Sequence, residues 1–323
     1  MLATTLVASA LADEPTAPPV AHPASTPTLL LVVGAAGEPE FGTNFLRQFE
    51  GWRQAAQKAG APLRCVGLED AAPRADVEVL RSLLEAEPKI ATAALWLVLI
   101  GHGTFDGKEA RFNLRGPDVT ASELAGWLKP FERPLVIINT AAASAPFLAK
   151  LSATNRIIIT ATRSGNEQNF TRLGAHLAET IADPAGDLDQ DGETSLLEAF
   201  LTAAARVAEF YRTEGRLATE HALIDDNGDA LGTPADWFRG VRAVKKSQQA
   251  GAVDGLRAQQ VSLVPSPEER ALPPDLRARR DALELEVFRL REAKASLAED
   301  DYYHRLEALL LQLARLQGLE VKP

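Results

Sequence analysis

Four short runs constrain the fold more than any other feature of the chain: Leu29–Val33, Ala93–Ile100, Leu135–Ile138 and Arg156–Thr160. They are apolar and rich in β-branched residues, and apart from the first residue of the last run they do not alternate with polar ones. A strand of that kind must be buried on both faces, which is the condition of a parallel sheet covered by helices. The intervening segments have helical spacing. One helix is predicted over Gly42–Lys58, closed by Gly60, and another over Val77–Glu85, with Val77, Leu80, Leu83 and Leu84 on one side. Thr120 with Glu123 three residues on forms a capping-box signal for a third, over Ser122–Leu128. A further strand is predicted over Pro62–Leu68, a hairpin or loop excursion over Gly103–Gly116, and helices over Phe170–Ile181 and Leu196–Tyr211. The expected class is therefore α/β, with functional groups at the carboxyl ends of the strands.

The flanks have a different character. Leu2–Ala12 is a short apolar stretch ending Ala10-Leu11-Ala12, a small-x-small pattern that reads as a signal peptide over residues 1–12, although a basic start is missing. Residues 13–27 read as a Pro-rich linker, and the expected location is periplasmic or secreted, otherwise cytoplasmic. Residues 241–271 are polar, carry Pro265 and Pro267, and are expected to be a second linker. Beyond them Leu276, Leu283, Val287, Leu290, Ala293 and Leu297, then Tyr302, Leu306, Leu309, Leu313 and Leu316, follow a three-four spacing on either side of an acidic turn at residues 298–301. That pattern predicts an antiparallel helical hairpin over 272–323, packed on itself or offered to a partner.

Asp187-Leu-Asp189-Gln-Asp191-Gly192-Glu193-Thr-Ser195-Leu-Leu-Glu198 matches the twelve-residue EF-hand calcium loop at every defined position. Short carboxylates at positions 1, 3 and 5 (Asp187, Asp189, Asp191) face one cup. Glu193 offers its main-chain carbonyl at position 7, Ser195 acts directly or through water at position 9, and Glu198 closes the shell in bidentate fashion. Four carboxylates crowded without a counter-ion would repel one another, so Ca2+ is the expected ligand. Thr194 stands where a bulky apolar residue usually pairs two such loops, so the loop is expected to stand alone. A second acidic stretch, Asp225 to Asp236, places Asp225, Asn227, Asp229 and Asp236 at positions 1, 3, 5 and 12. Ala230 replaces its turn glycine and Pro234 disturbs its exit, which favours an Asx-rich turn over a metal site.

The run Leu99-Ile100-Gly101-His102-Gly103 puts a histidine between glycines at the end of a buried strand. The next strand runs into the small-residue turn Asn139-Thr140-Ala141-Ala142-Ala143-Ser144, and the one after it into Thr162-Arg163-Ser164-Gly165-Asn166-Glu167. This order resembles the legumain-like cysteine peptidases of the caspase fold, over roughly residues 28–213. The resemblance implies a caspase-like three-layer sandwich, with the helical hairpin following it. It also implies a catalytic histidine at His102 and a nucleophilic cysteine at the end of the next strand. That cysteine is missing: Ala141 holds its position, and the lone Cys65 lies on an earlier strand. Without a thiolate His102 has no partner for the covalent chemistry of this class.

These readings lead to a calcium-binding, catalytically inactive pseudopeptidase acting in binding or assembly, with a protein or peptide as partner. Two alternatives stand beside it. One is an active hydrolase using Ser144 or Thr140 with His102; the other is a structural protein working through its hairpin. An excess of 44 acidic over 34 basic residues, net charge -10, argues against sequence-independent nucleic-acid binding. One cysteine excludes an intramolecular disulfide and any multi-cysteine metal site, and no apolar run reaches the ~18–20 residues of a membrane span.

Overall fold

The computed structural model describes residues 26–68, 74–249 and 252–316. The expected signal peptide, and all but the last two residues of the Pro-rich linker, lie outside them. The first strands are β1 (Thr28–Val33), β2 (Leu63–Val66) and β3 (Leu95–Ile100). A small antiparallel sheet of β4 (Gly103–Phe105), β5 (Ala110–Phe112) and β6 (Val119–Thr120) realises the predicted excursion. The main sheet continues with β7 (Leu135–Asn139), β8 (Arg156–Thr160), β9 (Leu223–Asp225) and β10 (Thr233–Pro234). Its order is β10-β9-β8-β7-β3-β1-β2, parallel from β2 through β8, with β9 and β10 antiparallel at one edge.

The side chains of the central strands alternate between two cores, as the pleat requires. Leu29, Leu31, Trp96, Val98, Val136, Ile138, Ile157 and Ile159 pack under α1 (Pro39–Ala59). Leu30, Val32, Leu95, Leu97, Leu99, Leu135, Ile137 and Ile158 pack under α2 (Asp76–Ala86), α3 (Ala121–Leu128) and α4 (Ala145–Leu151). The first core also takes in α5 (Leu173–Thr180) and α6 (Leu196–Thr213). Helix layers cover both faces of a mostly parallel sheet, as the four apolar runs predict. The Thr120–Glu123 capping box forms as its spacing predicts.

Two boundaries differ from expectation for stated reasons. The helix predicted from Phe170 begins at Leu173, because the Arg172 and Leu173 N–H groups donate to the Glu220 carboxylate, which holds the helix start from 47 and 48 residues away. The stretch 241–271 differs more. Residues 252–266 form a strap rather than a free linker: Val253, Asp254, Ala258 and Leu263 are buried, and Ala258 and Leu263 belong to the first core. The strap contains the short helix α7 (Leu256–Gln259) and leads through α8 (Pro267–Ala271) into α9 (Pro274–Glu292). A single 3-10 turn then connects α9 to α10 (Glu299–Leu316), which packs against it, with Leu283, Val287, Leu290 and Tyr302 buried. None of the described helices is long and apolar enough to cross a membrane.

Candidate functional site

β3 and β7 are neighbours, so His102 and Ala141 follow adjacent carboxyl ends. The two turns touch: a Cβ placed on Gly103 would lie 2.3 Å from the Ala142 carbonyl oxygen and 3.3 Å from the Ala141 Cβ. The side chains diverge, however. The His102 ring lies beside Phe41, Phe45 and Phe170, with centroid distances of 4.7, 5.1 and 6.3 Å, and its Nε2 is 3.2 Å from the Ala36 carbonyl. Ala141 is buried in the opposite core. The aromatic lining of His102 was not foreseen; Phe41 and Phe45, four apart at the start of α1, were the signal for it.

The turn after β7 is locked from within. The Ala141 N–H donates to Asn139 Oδ1 at 3.0 Å, and the Ala143 N–H, at φ 51°, donates to the Glu167 carbonyl at 2.8 Å. Ser144 is fully buried. Its N–H donates to Thr162 Oγ1, its Oγ is 3.1 Å from the same hydroxyl, and it accepts the Thr162 N–H. Thr140 Oγ1 donates to the Leu99 carbonyl at 2.9 Å. Among the described residues, the hydrogen-bond partners of the two hydroxyls are the Leu99 carbonyl and Thr162, and neither is a histidine. Cys65 sits on β2, separated from β7 by β3 and β1. The Ala141 amide donates within its own turn, to Asn139 Oδ1.

A second histidine escaped the sequence reading. His221 Nδ1 lies 2.6 Å from Glu167 Oε1, and Glu167 also pairs with Arg163 and accepts its N–H. Through the Glu167 carbonyl this cluster holds Ala143, and so fixes the turn after β7.

The acidic loop before α6 has the expected shape. Ligand oxygens of Asp187, Asp189 and Asp191 lie within 4.8 Å of one another, and Gly192, at φ 92°, makes the sharp turn. Asp187 accepts the N–H groups of Asp191 and Gly192 at 3.2 and 2.9 Å. Although Asp191 is exposed at the surface, partial desolvation within the loop pushes its carboxyl upward, and repulsion from Asp189, Glu198 and Glu193 adds to the shift. Those are the electrostatics that a cation would relieve. The remaining expected ligands are tied up differently. Glu198 is buried, with Oε1 accepting from Leu188 and Asp189 N–H and Oε2 from the Ser195 N–H and hydroxyl, in the capping box that starts α6. The Glu193 side chain accepts the Ser266 N–H, leaving only its main-chain carbonyl for an ion. Thr194 turns inward and donates to the Asp183 carbonyl. Across the loop exit lies the strap: Ser195 bridges Ser262, Leu196 N–H donates to the Val261 carbonyl, and Gln259 donates to Asp189 Oδ2. Three clustered carboxylates, the turn glycine and an oxygen-only donor set fit a hard divalent cation, while Glu198 is held in the cap of α6.

No family model matches the chain, and no curated protein matches it. Among solved structures it is similar to a protein from Geobacter sulfurreducens, at 12% identity and TM-score 0.40, covering 62% of this chain and 92% of that one. It is similar to the Drosophila initiator caspase Dronc at 13% identity and TM-score 0.38, covering 62% and 80%. Caspase-1 from Spodoptera frugiperda matches at 10% identity and TM-score 0.40, covering 63% and 87%.

Proposed function

We propose that this chain is a calcium-binding, catalytically inactive protein of caspase-like architecture that acts by binding or assembly rather than by cleavage. The observation that supports it most is the turn after β7. Ala141 stands in place of a nucleophile, its amide is spent on Asn139, and Ser144 and Thr140 are buried in hydrogen bonds that exclude His102. The loop Asp187–Glu198 supplies the calcium part of the reading, with Asp187, Asp189 and Asp191 as primary ligands, the Glu193 carbonyl and Ser195 as supplements, and Glu198 as the closing carboxylate. It ties α6 and the strap together, so a bound ion would rigidify the junction between the sheet domain and the helical hairpin. The partner is a protein or peptide, and an exported location suits the weaker range of calcium affinities.

The test is covalent labelling. Incubation with a fluorophosphonate and with an acyloxymethyl ketone should leave the intact mass unchanged. An adduct on Ser144 or Thr140 that disappears in His102→Ala would establish the hydrolase reading instead, and cleavage abolished by Cys65→Ser would make Cys65 the nucleophile.

A further inference from the structure

The strap is fastened at its start by two acids that the proposed function does not use. Asp226, after β9, and Asp254, in the strap, are each buried to within 2% exposure. Each carboxyl accepts main-chain donors from the other's segment. Asp226 accepts the N–H groups of Gly255, Arg257 and Ala258 at 2.9, 2.8 and 2.9 Å. Asp254 accepts those of Asp226 and Asn227 at 3.0 and 3.3 Å, and the Thr233 hydroxyl at 2.6 Å. These reciprocal bonds bring the two carboxyls into one buried site, Asp254 Oδ1 lying 3.0 Å from the Asp226 main-chain nitrogen and Asp226 Oδ1 2.9 Å from that of Gly255. No basic side chain is a hydrogen-bond partner of either; Arg257 contributes only its main-chain N–H. The other charged groups around them are Asp225 on β9, which adds repulsion, and Asp229 in the following turn.

Two carboxylates that share a buried site, with only main-chain and hydroxyl donors to hold them, do not both ionise. A single proton held by the pair removes the repulsion between them. We propose that Asp226 and Asp254 form a one-proton clasp that fastens residues 252–258 to the β9 edge of the sheet and loosens when that proton is lost. Burial, with repulsion from Asp226 behind it, pushes the Asp254 carboxyl up to about 8, and burial pushes Asp226 up as well. The sign follows from linkage. The closed clasp keeps a proton that the opened segment gives up above the ordinary carboxylate range, about 4. Opening is therefore favoured by rising pH, and its pH dependence levels off once the closed form has also lost the proton, near 8.

Amide hydrogen exchange on the full chain tests this. Protection of the Asp226, Asn227, Gly255, Arg257 and Ala258 amides, corrected for intrinsic rates, should fall about tenfold per pH unit between roughly 6 and 8, then level off. Asp254→Asn replaces the protonated acid with a neutral isostere and should flatten that slope. Protection independent of pH in the wild type, or an unchanged slope in the variant, would overturn the clasp. Should Asp254→Asn not fold, the carbon-13 shift of the Asp254 carboxyl in the wild type decides the matter. Titration near 8 supports a shared proton, and titration near 4 contradicts it.

Discussion

The two acidic turns, 187–198 and 225–236, begin with the same Asp-x-Asx-x-Asp pattern and hold the same strap, yet they manage their charge in opposite ways. In the first, Asp187, Asp189 and Asp191 converge within 4.8 Å, with Asp189 and Asp191 exposed to water. In the second, Asp225 is buried and its oxygens accept the Gly228 and Ala230 N–H groups, while the adjacent Asp226 is closed off by Asp254 and three main-chain donors. One turn holds its first three carboxylates at the surface and the other buries its own. The comparison teaches that the same carboxylate spacing serves opposite environments, according to what the surrounding chain packs over it.

The largest expected effect separates the turns without any metal. In chelator, Asp226→Ala leaves three N–H groups in a buried site without their acceptor and should cost about 3 kcal/mol or more, at 1–3 kcal/mol for each buried unsatisfied group. Asp187→Ala leaves two N–H groups within reach of water and should cost about 1 kcal/mol or less. Urea unfolding of both variants measures this, and the reverse ranking would break the comparison.

Calcium supplies the next effect. At 100 times Kd the ion should add roughly 2.7 kcal/mol to the wild type. Asp187→Ala and Glu198→Ala should abolish that gain, the first by removing a primary ligand and the second by removing the closing carboxylate. Asp225→Ala should retain it; loss of the gain there instead would move the ion to the second turn.

Acid should weaken binding at the first turn. The Asp191 carboxyl is raised, so in the absence of calcium it keeps its proton to higher pH than an ordinary aspartate, and calcium must displace that proton. Affinity measured by titration at about pH 7 should therefore exceed that at about pH 5, near the top of the ordinary carboxylate range. Equal affinities would mean that Asp191 is not a ligand. The smallest effects come from the backbone. Gly192→Ala, at φ 92°, should cost about 1 kcal/mol, and Ala230→Gly, at φ 63°, should stabilise by a similar amount. Thermal unfolding reads both.

What was legible in the sequence was whatever one segment declares by itself. β1, β3, β7 and β8 are continuous apolar runs, and the Thr120–Glu123 cap is complete within four residues. The strap was not legible. Val253, Ala258 and Leu263, all buried, share no helical or strand period, and the last two fill places in a core built by other elements. The clasp joins residues 28 apart, and the start of α5 is set by an acid 48 residues downstream, relations that no local pattern announces. The site divided the same way. The His102–Ala141 adjacency followed from strand succession, whereas the inward locking of Ser144 depends on Thr162 from a different strand end.

The central claim is that Asp187–Glu198 is a calcium loop, and isothermal titration of the intact protein with calcium, paired with thermal unfolding in calcium and in chelator, tests it most directly. The account predicts one ion per chain, a dissociation constant between about 10⁻⁷ and 10⁻³ M, and a higher Tm in calcium. No heat of binding and identical Tm values would reduce the loop to a solvated acidic turn capping α6.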